Sequence, residues 1–130
     1  MLAQTAINNK HKASEQMNPY PFQISDNGQF AIIAAIESED LYNKYYPLFE
    51  KHGYEGNGYC WEGHIIQILE KNNSGLLEHI EFDPEAGGFY AYADSKEAME
   101  DFISLISPIF SDINKLEEYI QSADRNRIDD

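Results

Sequence analysis

The stretch "EHIEFDPEAGGFYAYAD" (78–94) repeats its apolar residues at every second position on both sides of a turn-forming "DPEAGG". Ile80 and Phe82 alternate before the turn, and Phe89, Ala91 and Ala93 alternate after it against Tyr90 and Tyr92. Strand side chains point to opposite faces in turn, so this pattern predicts a hairpin with one face in a core. The period then becomes helical at once. Ala98, Met99, Phe102, Ile103 and Ile106 line one side of the next segment, and Asp94 with Glu97 has the spacing of a capping box. A hairpin that feeds directly into an amphipathic helix argues against all-helical and all-strand architectures.

The rest of the chain repeats the theme. "PYPFQIS" (19–25) and "QFAIIAAI" (29–36) are two short strand candidates, and the Asn27-Gly28 between them favours a primed hairpin turn. In 37–54, Ser38 is an N-cap candidate, Leu41, Tyr45, Leu48 and Phe49 recur at helical spacing, and Gly53 suits the stop. Pro47 should kink or divide that helix. Trp61, Ile65, Ile68 and Leu69 form another helical stripe, and "NNSG" (72–75) breaks it. "LLEHI" (76–80) suits one further turn. Pro108 should end or kink the helix that starts near 94, and Ile109, Ile113, Leu116 and Ile120 continue a helical pattern. The prediction is an α+β fold: an antiparallel sheet of about four strands in two hairpins, with three to four helices packed mainly on one face. One domain is expected over 19–122, with a flexible arm at 1–18 and a frayed tail at 123–130.

Charge narrows the function. The net charge is −14, and residues 1–36 contribute none of it, so all of it lies in 37–130. Such a surface repels phosphate backbones, which argues against nucleic-acid binding and favours a basic protein partner. The longest apolar run, Phe30 to Ile36, is too short to span a bilayer, and the first twenty residues lack the apolar segment of a secretory leader. A cytoplasmic protein without a membrane partner is expected.

The residues with chemical potential cluster in "HGYEGNGYCWEGHIIQILE" (52–70), which holds the single Cys and single Trp. Cys60 and His64 are four apart, on one face of a helix, but make only half of a zinc site, with His52 and Glu62 poorly spaced to complete it. A catalytic thiol needs an electropositive pocket, and Glu55 and Glu62 supply the opposite. The glycines match neither a dinucleotide fingerprint nor a phosphate loop. Gly53 reads as a helix stop and Gly56-Asn57-Gly58 as a tight bend, with Trp61 an anchor in the core. Glu81, Asp83 and Glu85 share a strand face and could act as paired carboxylates, although a solvated acidic edge is the simpler reading. No metal, no cofactor and no catalytic residue are predicted.

"GYEGNGYCWEGHIIQILEK" (53–71) and "LLEHIEFDPEAGGFYAYADSKEAMEDF" (76–102) together resemble the bacterial immunity protein 51 family. The shared pattern is G-Y-x-G-N-G-Y-x-W entering a helix, then an F-D-P-E-A-G-x-F hairpin and an acidic helix, over roughly 22–110. Cys60 stands where that pattern leads one to expect a polar or acidic residue. The resemblance implies a non-enzymatic antitoxin that binds a cognate toxin domain in the cytoplasm of the producing cell. The charge suits a basic nuclease. A tight interface needs an aromatic centre in an acidic rim. Glu81, Asp83, Glu85, Tyr90 and Tyr92 have that composition, and Glu55 and Tyr59 come second. The competing expectations are an acidic interaction module without a toxin, and a small hydrolase built on His64 or Cys60.

Overall fold

The computed structural model describes residues 18–130, so all but the last residue of the predicted arm lies outside the described residues. Four strands form one antiparallel sheet: β1 (Gln23–Ser25), β2 (Phe30–Ala34), β3 (Ile80–Phe82) and β4 (Phe89–Ala93), in the order β1-β2-β4-β3. Among the described residues four α-helices accompany it: α1 (Glu39–Lys51), α2 (Gly58–Asn72), α3 (Lys96–Ser111) and α4 (Ile113–Ser122). The predicted α+β class and the two hairpins are present. The central pair matches Ile32 with Ala91 and Ala34 with Phe89, which sends these side chains to the same face as Ile80. All five join Trp61, Phe102, Phe49 and Phe110 in one buried cluster beneath the helices.

Caps set the helix boundaries. Ser38 Oγ accepts from the Leu41 amide and Asn57 Oδ1 from the Cys60 amide. α1 ends in a Schellman arrangement: the Gly53 amide donates to Glu50 and the Tyr54 amide to Phe49, with Gly53 at φ +84°. Neither internal proline divides its helix. Pro47 and Asn43 are both exposed, so water can satisfy the carbonyl that the proline ring leaves without a donor.

The structure corrects the reading at three places. Only 23–25 of the first strand candidate pairs with β2, because Pro19 and Pro21 cannot donate to a ladder. Residues 19–22 turn instead, the Phe22 amide donating to the Pro19 carbonyl, and Ser107 and Ser111 hydroxyls hold the carbonyls of Pro19 and Tyr20. The β1–β2 link is not a two-residue primed turn: Ser25 pairs with Ala31, and Gly28 alone takes a positive φ. Helix α3 is capped by Ser95, not Asp94. Asp94 instead meets His79 at 2.7 Å, tying the start of β3 to the end of β4. The segment 123–130, expected to fray, lies against the rest of the fold. Gln67 makes reciprocal bonds with the backbone of Asp124, Arg125 lies 4.3 Å over the Tyr54 ring, and Arg127 meets Glu70 at 2.6 Å.

The His79–Asp94 pair gives a pH prediction. The hydrogen bond to Asp94 raises the His79 pKa above its ordinary 6.5. A raised folded-state pKa means that the pair stabilises the fold below the unfolded value and loses that effect as pH rises through the folded one. An NMR titration should show His79 titrating above 6.5 in the wild type and near about 6.5 in Asp94→Asn.

Candidate functional site

The core cluster leaves one face of the sheet out. Ala31, Ile33, Tyr90 and Tyr92 point away from it, and among the described residues none of the four joins the buried cluster. Register explains the neighbourhood. Tyr92 lies between Ala31 and Glu81, and Tyr90 lies opposite Ile33. The Asp83 amide donates to the Tyr90 carbonyl, extending the ladder, and Glu85 bridges to Gly88 at the tip. Alternation therefore puts Glu81, Asp83 and Glu85 on the same face as the two tyrosines. The three carboxylates are exposed and the tyrosines half-buried. The Tyr90 ring leans along the sheet over Gly88, where an added Cβ would meet it at 2.7 Å.

The hairpin tip is pinned from behind. The Gly58 amide donates to the Ala86 carbonyl, and an added Cβ at Gly58 would overlap the carbonyl oxygens of Glu85 and Gly88. Gly58 serves close approach, so the bend read at Gly56-Asn57-Gly58 is only partly conformational: Gly56 alone has positive φ, and Asn57 is the cap of α2.

Glu55 belongs to a second feature. It lines a cleft of about 130 Å³ between α1 and the tip, with Ile36, Glu37, Tyr42, Tyr46 and Ala86 around it and Trp61 contributing to its lining. Tyr59 stands 39% exposed on the first turn of α2 and does not line that cleft. The sequence reading missed Glu37, Tyr42 and Tyr46. The available signal was a pair of tyrosines at i and i+4 on α1, flanking its Leu41–Tyr45–Leu48 stripe. Their rings stack with centroids 4.7 Å apart.

Cys60 and His64 lie together in the core. They are 0% and 1% exposed. Burial pushes the Cys60 thiol up, with Asp130 adding to it, and burial pushes the His64 imidazole down. His64 Nδ1 lies 2.9 Å from the Cys60 carbonyl, an oxygen that can only accept, so Nδ1 carries the proton and cannot receive the thiol's. Its ring packs between Phe49 and Tyr54. A neutral thiol reagent such as an aromatic disulfide should therefore leave Cys60 unmodified in the native protein and label it fully in denaturant. Fast labelling without denaturant would show the thiol to be reachable. Among the described residues no three His, Cys, Asp or Glu side chains converge as metal ligands.

The structure is thus an α+β domain with tyrosines and carboxylates on and beside a sheet face that lies outside the core cluster, while its thiol and imidazole are buried in the core. The family model for immunity protein 51 matches residues 22–125, and the chain belongs to that family, a class that is generally non-enzymatic. The match reaches beyond the 110 or so suggested by the motifs, in keeping with α4 and the following residues being packed on α2. No curated protein and no solved structure gives a significant match. Among the described residues no helix is long and apolar enough to cross a membrane.

Proposed function

We propose that this immunity protein captures a basic toxin domain, of nuclease type, in the cytoplasm of the cell that makes both, and holds it against the open sheet face. The observation that carries the reading is the placement of Tyr90 and Tyr92 within that face, with Glu81, Asp83 and Glu85 along one side. Two large amphipathic rings supply contact area at little rotamer cost, and carboxylates at the rim steer a cationic partner and exclude others. An acidic surface of this kind can stand where a phosphate backbone would lie in the toxin's cleft.

The task sets the strength required. One uncaptured toxin molecule is dangerous, so the complex should be nanomolar or tighter, about −12 kcal/mol or better. A face of standard interface size, about 800 Å² on each partner, is enough when its centre is aromatic. The decisive experiment is rescue: express the toxin domain encoded beside this gene with and without this protein and follow growth, then measure the complex by calorimetry. Rescue with one-to-one binding is expected. A toxic domain that the folded protein neither binds nor neutralises would refute the pairing.

A further inference from the structure

We propose that the cleft between α1 and the hairpin tip is a socket for one arginine side chain of the basic partner, an anchor separate from the open sheet face. The proposal rests on the reading of the partner as basic.

The lining gives the chemistry. Glu37 and Glu55 put two carboxylates at a cleft whose walls are Tyr42, Tyr45 and Tyr46, and among the described residues no Lys or Arg lines it. Tyr45 and Trp61 are 1% and 0% exposed, so the inner walls are fixed parts of the core, while Tyr42 is 47% exposed. The Tyr46 hydroxyl donates to Glu50 Oε2 at 2.8 Å, which fixes that ring, and Tyr42 stacks on it with the planes 10° apart. One of the three rings already lies beside a cation: Lys44 Nζ is 5.4 Å from the Tyr45 ring without lining the cleft. On the far side Glu37 packs against Gly87, so the tip and one carboxylate hold each other in place.

Size and geometry select the ligand. A cleft of about 130 Å³ is well below the roughly 300–1,000 Å³ of small-molecule sites, yet has room for a guanidinium and its last methylenes. A hard metal cation would need several converging oxygens, and no such group exists among the described residues. A planar guanidinium can stack on a tyrosine face and fork onto a carboxylate at the same time, which the ammonium of lysine cannot do. Glu85 immediately precedes Ala86, so the acidic row of the hairpin ends at the mouth of the cleft.

The test uses the full chain and its single tryptophan. Trp61 lines the cleft, and its indole N–H has no hydrogen-bond partner among the described residues, so its NMR resonance reports the rings and charges around it. Titrating N-acetyl-arginine amide should move that resonance saturably in the millimolar range. N-acetyl-norvaline amide should leave it still, N-acetyl-lysine amide should act more weakly, and Glu37→Gln with Glu55→Gln should weaken the arginine response about tenfold or more. Tyr42→Ala should weaken the complex with the adjacent toxin domain about tenfold or more, since its ring is exposed and its loss spares the core. No saturable shift with the arginine probe, or an equal shift with norvaline, overturns the socket. A wild-type protein that shows the arginine response but does not bind the toxin overturns the immunity pairing and leaves the socket standing.

Discussion

Changing Glu81, Asp83 and Glu85 together to lysine should abolish rescue of toxin-expressing cells while leaving the protein folded. Each replacement exchanges a negative for a positive charge, so the net charge moves by six units, from −14 to −8, with all of the change on one side of one hairpin. The side chains are exposed, and the hydrogen bonds that Asp83 and Glu85 make within the hairpin are made by their backbones, so the strand pairing should survive. Attraction for a basic partner becomes repulsion. Electrostatic steering raises association rates by about 10–10³-fold, and that gain should be lost first. Like charges facing each other across the docked surface then add several kcal/mol, so affinity should fall by about three orders of magnitude or more. Stopped-flow association against ionic strength gives the signature. The wild-type rate should fall steeply with salt, as screening shortens the reach of the field to about 8 Å at physiological strength, whereas the variant should be slow and speed up with salt. Full rescue by a folded triple variant would move the interface away from the hairpin, with the Glu55 side of the tip as the next place to look.

How much of this was legible follows from how local each signal is. The 78–94 hairpin could be read because every determinant lies within seventeen residues, and the structure pairs Ile80 with Ala93 and Phe82 with Ala91. The helix 58–72 could be read because its stripe has no competing period. Errors arose where two local signals overlapped. Asp94 and Ser95 are both good caps, and the one that lost the helix was taken by His79, fifteen residues away in sequence. Asn-Gly does favour a tight turn, but the loop length here is set by the pairing of Ser25 with Ala31. The tail read as polar and frayed because its partners, Gln67, Tyr54 and Glu70, are more than fifty residues distant. The cleft was illegible for the same reason. Its lining comes from residues 36–46, 55–57, 61 and 86, and only the folded chain brings these together.

Under the proposed docking the two faces of the sheet have separate jobs, and adjacent residues of β4 should separate them. Phe89 is 0% exposed and packs against Phe22, Phe102 and Trp61, with ring centroids 5.8, 6.4 and 6.5 Å away. Phe89→Ala should cost about 3–5 kcal/mol through lost burial and the cavity left behind. With an unfolding entropy of roughly 2 cal/mol/K per residue, a loss near the middle of that range lowers the Tm of a chain this long by about 15 °C. Tyr90 sits next to it on the opposite face. Tyr90→Ala should shift the Tm by only a few degrees but weaken toxin binding by about 2 kcal/mol, near thirtyfold, if the ring is a contact anchor. Calorimetric unfolding and toxin titration on the same two proteins, the latter well below the lower transition, complete the comparison. Phe89→Ala, while folded, should bind within about threefold of wild type, because effects at residues with no shared partners are close to independent. The opposite pattern, with Tyr90→Ala destabilised and binding unimpaired, would mean that the tyrosine face belongs to the fold and that the toxin docks elsewhere.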